Sequence, residues 1–266
     1  MPNIRFLLPA SGPMMMLNGT KQLLIYASLR KTVVIGASSG IGRCIAEKLL
    51  SSGETVVVCA RRTALLDEIH NRYPETSIVE TLDVNDSVHT ENNLKRIFKD
   101  IKQVDWLILC SGIGDFNPDL DFETEKKTID TNVSGFTAIV DCAFNLFKNQ
   151  GFGQLAAISS IGGLRGGAGS PAYNASKAYQ INYLEALQIK ARKDKIPVYV
   201  TDIRPGFVDT VMAKGEGQFW VVPVAKAADQ IIRAISKRRR VVYVSRRWGL
   251  IAFIISRLPF SLYSRL

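Results

Sequence analysis

Histidine and cysteine are scarce in this chain, two and four among 266 residues. His70 and His89 both fall early, in polar helical stretches, so no histidine stands late enough in the chain for a hydrolase triad. Cys44, Cys59, Cys110 and Cys142 are far apart, form no C-x-x-C pair and have mostly apolar neighbours. They read as buried, reduced thiols; neither a disulfide scaffold nor a metal centre is expected. Long apolar runs are missing too. The longest, Leu250–Ile255 within Trp248–Leu258, is far short of the ~20 residues that cross a bilayer. Pro9 and Pro13 interrupt the N-terminal stretch before it reaches signal-peptide length, and Met14-Met15-Met16 offers a start inside it. Glycine and proline total 30 and charged residues only 22%, which excludes disorder as the dominant state.

Acidic residues are absent from both ends. Residues 1–31 hold four basic residues and no acid, residues 237–266 hold eight and again none, and 22 basic against 24 acidic residues remain between. The net charge of +10 therefore does not describe the body of the protein, which is near neutral. A nucleic-acid groove would spread positive charge over the folded body, so no nucleic acid is expected as partner. Residues 1–30 are read as an N-terminal extension, 31–245 as one dinucleotide-binding catalytic domain, and 246–266 as an apolar and basic tail.

From Lys31 onward, short β-branched runs alternate with helical spacing. Strands are expected at Thr32–Ile35, Thr55–Cys59, Ile78–Leu82, Trp106–Cys110, Leu155–Ser159, Val198–Ile203 and Val241–Val244. Helices are expected at Ile41–Leu50, Leu65–Arg72, Asn92–Ile101, one long stretch from Glu123 to Phe147, Ala172–Ala191 and Ala225–Ile235. Strands that read as continuous apolar runs are covered on both faces. The fold class is α/β, a doubly wound Rossmann-type parallel sheet of about seven strands in a single domain.

The first strand runs into Gly36-Ala37-Ser38-Ser39-Gly40-Ile41-Gly42, a glycine turn that opens a helix. Glycines there permit a tight turn and close approach of a pyrophosphate to free helix N–H groups. The same residues also fit the G-x-S-x-G elbow of hydrolases, but the acid and histidine that must follow are missing. The second strand ends in Cys59-Ala60-Arg61-Arg62. An NAD site places a carboxylate there for the ribose, whereas arginine suits a 2′-phosphate, so NADP(H) is expected in preference to NAD(H), with Arg61 on the phosphate.

Tyr173 and Lys177 lie four residues apart on one helix face. An adjacent ammonium lowers the pKa of a phenol, which makes it usable as an acid or base. Ser159-Ser160 end a strand at its carboxyl edge, where ligands bind in open α/β sheets, and Asn132 interrupts an apolar helical run.

Together these residues resemble the short-chain dehydrogenase/reductase family over about Lys31 to Val244. Gly36, Gly40 and Gly42, with Ile41 between, are similar to the family's cofactor loop, flanked here by Ser38 and Ser39; Asp83-Val84 are similar to its adenine-pocket pair. Asn132, Ser160, Tyr173 and Lys177 match its catalytic tetrad, Ser160 being preferred to Ser159 by its distance from the tyrosine. Pro205, Gly206, Val208 and Thr210 match the segment beside the nicotinamide. The family's N-N-A-G is replaced by Leu109-Cys110-Ser111-Gly112, with only Gly112 kept. The resemblance implies an NADP-dependent oxidoreductase acting between CH–OH and C=O groups. In it Tyr173 exchanges the proton, Ser160 binds the substrate oxygen, Lys177 holds the ribose and lowers the tyrosine pKa, and Asn132 places a water in a proton relay.

Competing readings are an extended-branch epimerase or dehydratase, whose glycine spacing differs, and a catalytically silent NADP-binding sensor or scaffold, which would be expected to lack part of the tetrad. The substrate loop is expected from Phe207 to about Pro223, with Phe219 and Trp220 as an apolar lid over an apolar carbonyl compound. A cytoplasmic location is expected, with a homo-oligomer as one assembly that such helices permit. The tail sets Trp248, Leu250, Ile251, Phe253, Ile254 and Ile255 among Arg246, Arg247, Arg257 and Arg265. That pattern suits either a cap on the fold or a peripheral contact with an anionic membrane.

Overall fold

The computed structural model describes residues 30–210 and 219–265. Residues 1–29, residues 211–218 of the expected substrate loop, and residue 266 lie outside the described residues. Seven strands are present among those described: β1 (Lys31–Ile35), β2 (Thr55–Ala60), β3 (Ser77–Thr81), β4 (Trp106–Leu109), β5 (Gly153–Ile158), β6 (Val198–Pro205) and β7 (Val241–Val244). They form one parallel sheet in the order β3-β2-β1-β4-β5-β6-β7. The order reverses between β1 and β4, the switch point at which open sheets of this type leave a crevice. Alternation along each strand supplies both layers of core. Val33 and Ile35 face Leu94, Phe98, Phe144 and Phe147 on one side, while Val34 faces Ile45, Leu49, Ile231 and Ile235 on the other.

The first layer is carried by α3 (Ser87–Asp100), α4 (Phe122–Ile129), α5 (Phe136–Gln150) and α6 (Pro171–Lys193), the second by α1 (Gly40–Ser51), α2 (Thr63–Arg72) and α7 (Val224–Ser236). The helix expected from Glu123 to Phe147 is interrupted: a π-helical segment, Asp130–Gly135, separates α4 from α5. Gly135 lets that segment press against β3's exit, since a Cβ there would come within 2.4 Å of the Val84 carbonyl oxygen. The wider turn carries Asn132, and such turns recur at functional sites. Of the four free cysteines only Cys59 is fully buried; Cys44, Cys110 and Cys142 are half-buried. Beyond β7 the chain forms α8 (Arg246–Ile255) and α9 (Phe260–Tyr263). Among the described residues no helix is long and apolar enough to cross a membrane.

Candidate active site

The glycine turn sits at the carboxyl end of β1. Gly36 has φ +88° and Gly40 φ +56°, values that L side chains rarely adopt. A Cβ on Gly36 would stand 2.7 Å from the Ser111 nitrogen, and one on Gly42 only 2.3 Å from the Gly36 carbonyl oxygen. Ser39 at the N-cap of α1 makes no side-chain capping bond, and the first turn of α1 holds no acid. Its leading N–H groups are thus left for an anion. Arg62 donates to the hydroxyls of Ser38 (2.8 Å) and Ser39 (2.7 Å). Arg61 lies 3.9 Å from Asp83, which also accepts from the Asn85 N–H. Arg62 is thus bonded to the turn, while Arg61 faces Asp83. Thr210 closes over the turn, its Cγ2 3.4 Å from where a Gly40 Cβ would be.

At the same edge, Ser160 follows β5 and accepts from the Gly162 N–H (3.0 Å), opening a short 3-10 turn, Ile161–Leu164. Asn174 holds that turn by donating to the Gly162 carbonyl (2.7 Å). Glu125 caps the first turn of α6 through the Ala172 N–H (2.7 Å), which fixes the helix carrying Tyr173. Tyr173 is half-buried; burial raises its pKa, and a hydrogen bond with Ser160 acts the other way. Gly114 is needed for the ring to lie where it does, since a Cβ there would be 2.3 Å from the Tyr173 Cδ2. Ser159 is buried and its hydroxyl is held by the Asp202 carboxylate and the Ile203 carbonyl (3.1 Å), which leaves Ser160 as the serine beside the phenol.

Lys177 is buried, and burial lowers its pKa to about 8, opposed by the charge of Asp202. Its ammonium, 5.8 Å from the Tyr173 ring centroid, donates to the Ile158 carbonyl (3.0 Å) and to Gln180 Oε1 (2.9 Å). An ammonium has three donors, so one remains to face the crevice. Gln180, also buried, passes its Nε2 to the Asn132 main-chain carbonyl (2.8 Å). The Asn132 amide is itself fully engaged: Oδ1 accepts from the Ile113 N–H (2.9 Å), and Nδ2 donates to the Ile113 carbonyl (2.6 Å) and Ser176 (3.0 Å). Asn132 thus clamps the segment after β4, where the missing asparagines of N-N-A-G would have acted. The Gln180 side chain links the Asn132 main-chain carbonyl to the Lys177 ammonium.

The profile of the short chain dehydrogenases matches residues 30–219. The chain belongs to the short-chain dehydrogenase/reductase family. An uncharacterized oxidoreductase of Mycobacterium tuberculosis is 31% identical over 224 residues, covering 81% of this chain and 88% of that one. A probable NADP-dependent dehydrogenase of Haemophilus influenzae is 28% identical over 65% of this chain and 69% of its own. Among solved structures, a short-chain dehydrogenase from Streptomyces avermitilis superposes with TM-score 0.75 at 25% identity, covering 85% of this chain and 94% of that one. One from Burkholderia cenocepacia, in complex with NADP, shares the fold with TM-score 0.77 at 21% identity, over 90% and 97% of the two chains.

Within this short-chain dehydrogenase/reductase, Asn132 and Lys177, two of the four residues expected to form a tetrad, meet beside Gly112, where a Cβ would lie 3.3 Å from both Asn132 Oδ1 and Lys177 Nζ. Pro205 and Val208 are buried at the exit of β6, and Gly206 donates to the Val244 carbonyl (3.0 Å). Sequence reasoning missed Gln180, Glu125, Gly114 and the bond from Arg62. Gln180 had a legible signal: a polar residue three past Lys177 on an otherwise packed helix face. Glu125 had none, because its partner Ala172 is 47 residues away.

Proposed function

We propose that this protein interconverts a ketone or aldehyde and the corresponding alcohol, using NADP(H) in preference to NAD(H), with Tyr173 as general acid/base. The observation that carries this reading is the Tyr173 phenol beside Ser160, one helical turn from the buried ammonium of Lys177. The cradle fits the cofactor, because Gly36 and Gly42 leave no room for a Cβ and the first turn of α1 is uncapped. Gly36 and Ser38 to Gly42 would hold the pyrophosphate; Arg61 and Arg62, with the Ser38 and Ser39 hydroxyls, would hold a 2′-phosphate. Asp83 and Val84 would take the adenine, while Gly112, Lys177, Pro205, Gly206, Val208 and Thr210 would line the nicotinamide end. When bound, NADPH supplies the hydride that adds to the carbonyl carbon.

The remaining chemistry is the protein's. Ser160 donates to the substrate oxygen and orients it toward Tyr173, which gives that oxygen its phenolic proton in reduction and takes one in oxidation. Lys177 stabilises the resulting phenolate: with the 5.8 Å from ammonium to ring centroid taken as the charge separation and an effective dielectric near ~20, a unit charge contributes roughly 3 kcal/mol, about a hundredfold in ionisation. Gln180 and Ile158 hold two of the three ammonium donors, so the third is aimed rather than free to rotate. The test is NADPH consumption, followed at the nicotinamide absorbance band, over a panel of ketones and aldehydes. Turnover with NADPH well above that with NADH is expected. Tight NADPH binding without turnover of any carbonyl would favour the silent sensor.

A further inference from the structure

We propose that the outer face of α8 and α9 seats this protein on an anionic lipid surface, and that its substrate is a lipid-soluble carbonyl or alcohol drawn from that bilayer. The substrate half rests on the reductase reading; the docking half does not. The structure divides the tail that the sequence presents as one unit. Trp248 and Ala252 are buried, and Trp248 packs against Phe207 (5.5 Å) and Phe219 (5.1 Å) of the loop after β6. This inner face caps the fold. The outer face does not: Leu250 (62% exposed), Phe253, Ile254, Phe260 (77% exposed) and Leu262 all stand in solvent. Leu250, Phe253, Ile254 and Arg257 follow the i, i+3, i+4, i+7 spacing of one helix stripe. Arg246, Arg247, Arg257 and Arg265 border the patch, and residues 246–266 contain no acid. A second protein copy would meet these four arginines with its own four, whereas an anionic headgroup layer complements them. Ten helical residues extend only ~15 Å, so α8 can lie in an interface but not cross it.

Topology places this face beside the reaction centre. In a parallel sheet all carboxyl ends share one edge, so α8 after β7 leaves from the edge that carries Ser160 after β5. The contact is direct. Arg165, from the loop that follows the 3-10 turn after Ser160, donates to the carbonyls of Ile255 (3.1 Å) and Leu258 (2.8 Å), and Tyr263 donates to the Gly166 carbonyl (2.8 Å). Leu164, Pro171, Ala175 and Ala178 line a groove between that loop and α6, beside Asn174. Phe116, packed on Gly169, and Trp220, packed on Phe219 and Trp248, are also exposed apolar residues. Lys237 to Arg240 stand at the opposite, amino end of β7, and Arg238 there is bonded to Tyr199. Only four of the eight tail cations therefore accompany the apolar face.

The test uses the full chain and its L250E/F253E double variant, which changes two exposed residues of the outer face. Each is sedimented with phosphatidylglycerol-containing vesicles and with neutral phosphatidylcholine vesicles. The wild type should partition onto the anionic vesicles at least tenfold more than the variant does, and added salt should release it. Wild type that stays in the supernatant, equal binding by the variant, or a wild-type dimer that the variant dissociates without vesicle binding would each overturn the docking. For the substrate, NADPH-dependent reduction of a long-chain aldehyde dissolved in the vesicles is compared with that of a short water-soluble aldehyde. The variant should lose about tenfold on the first relative to the second. Equal ratios would overturn delivery from the bilayer while leaving the reductase reading intact; no turnover of either aldehyde, with vesicle binding retained, would count against the reductase reading instead.

Discussion

Replacing Gln180 separately by leucine and by glutamate tests whether this residue sets the protonation of Lys177, the proposed partner of Tyr173. Leucine removes the acceptor for Lys177 Nζ and the donor to the Asn132 carbonyl, both in a buried site. A hydrogen bond to a charged group contributes about 1.5–3 kcal/mol and a buried carbonyl without its donor costs about 1–3. The larger apolar content of leucine offsets part of this, so a stability loss of roughly 2–4 kcal/mol is expected, within what a folded domain survives. The catalytic signature is different. Losing an acceptor on the ammonium should lower the Lys177 pKa, already reduced to about 8, by about one to two pH units. Glutamate places a carboxylate at the same distance and should raise it. The charged and titratable groups facing Lys177 are Asp202 from β6, backed by Arg204, and Tyr173 from its own helix, and these are unchanged in both variants. The assay is kcat/KM for carbonyl reduction against pH. Its basic limb should stand near pH 8 in the wild type, fall in Gln180→Leu and rise in Gln180→Glu, although both variants lose the bond to Asn132. Limbs that move in the same direction, or that stay put while both melting temperatures drop, would refute the positioning role and leave Gln180 a packing residue.

Tyr173→Phe should reduce kcat by about 10²–10⁴-fold, the usual contribution of a general acid, with NADPH binding by fluorescence titration nearly intact; retention of more than a tenth of kcat excludes the role. Arg62→Ala and Arg61→Ala should each weaken NADPH binding by roughly ten- to a hundredfold, as loss of a charge-assisted bond implies, and leave NADH little changed; equal losses for both cofactors would contradict the 2′-phosphate assignment. Gly114→Ala should displace the Tyr173 ring, because the new Cβ would stand 2.3 Å from the ring's Cδ2; turnover should fall at least tenfold while calorimetric NADPH affinity is kept, and unchanged turnover would show that the ring has room to move.

The parallel sheet and its seven strands were legible because they rest on local pattern, whereas the strand order came from the tertiary structure. Continuous apolar runs identify buried strands, and glycines at 36, 40 and 42 answer a steric demand made within one turn of chain. Tyr173 and Lys177 share a face through helix periodicity alone. The resemblance preferred Ser160 to Ser159 by its distance from Tyr173; in the structure the Ser159 hydroxyl is held by Asp202, 43 residues away.

What the sequence alone could not decide were pairings between segments distant in the chain. The π-helical segment at Asn132 depends on how closely Gly135 approaches Val84, and the bond from Arg62 to Ser38 and Ser39 depends on two strand ends lying side by side. Residues 237–266 read as one basic and apolar tail, yet β7 sends Lys237–Arg240 to one edge of the sheet and α8 to the other. Trp248 and Phe253 are equally apolar by composition. Packing on Phe207 and Gly206 buries the first and leaves the second in solvent. Hydrophobicity determines that a residue gains by leaving water; only the tertiary structure decides which surface receives it.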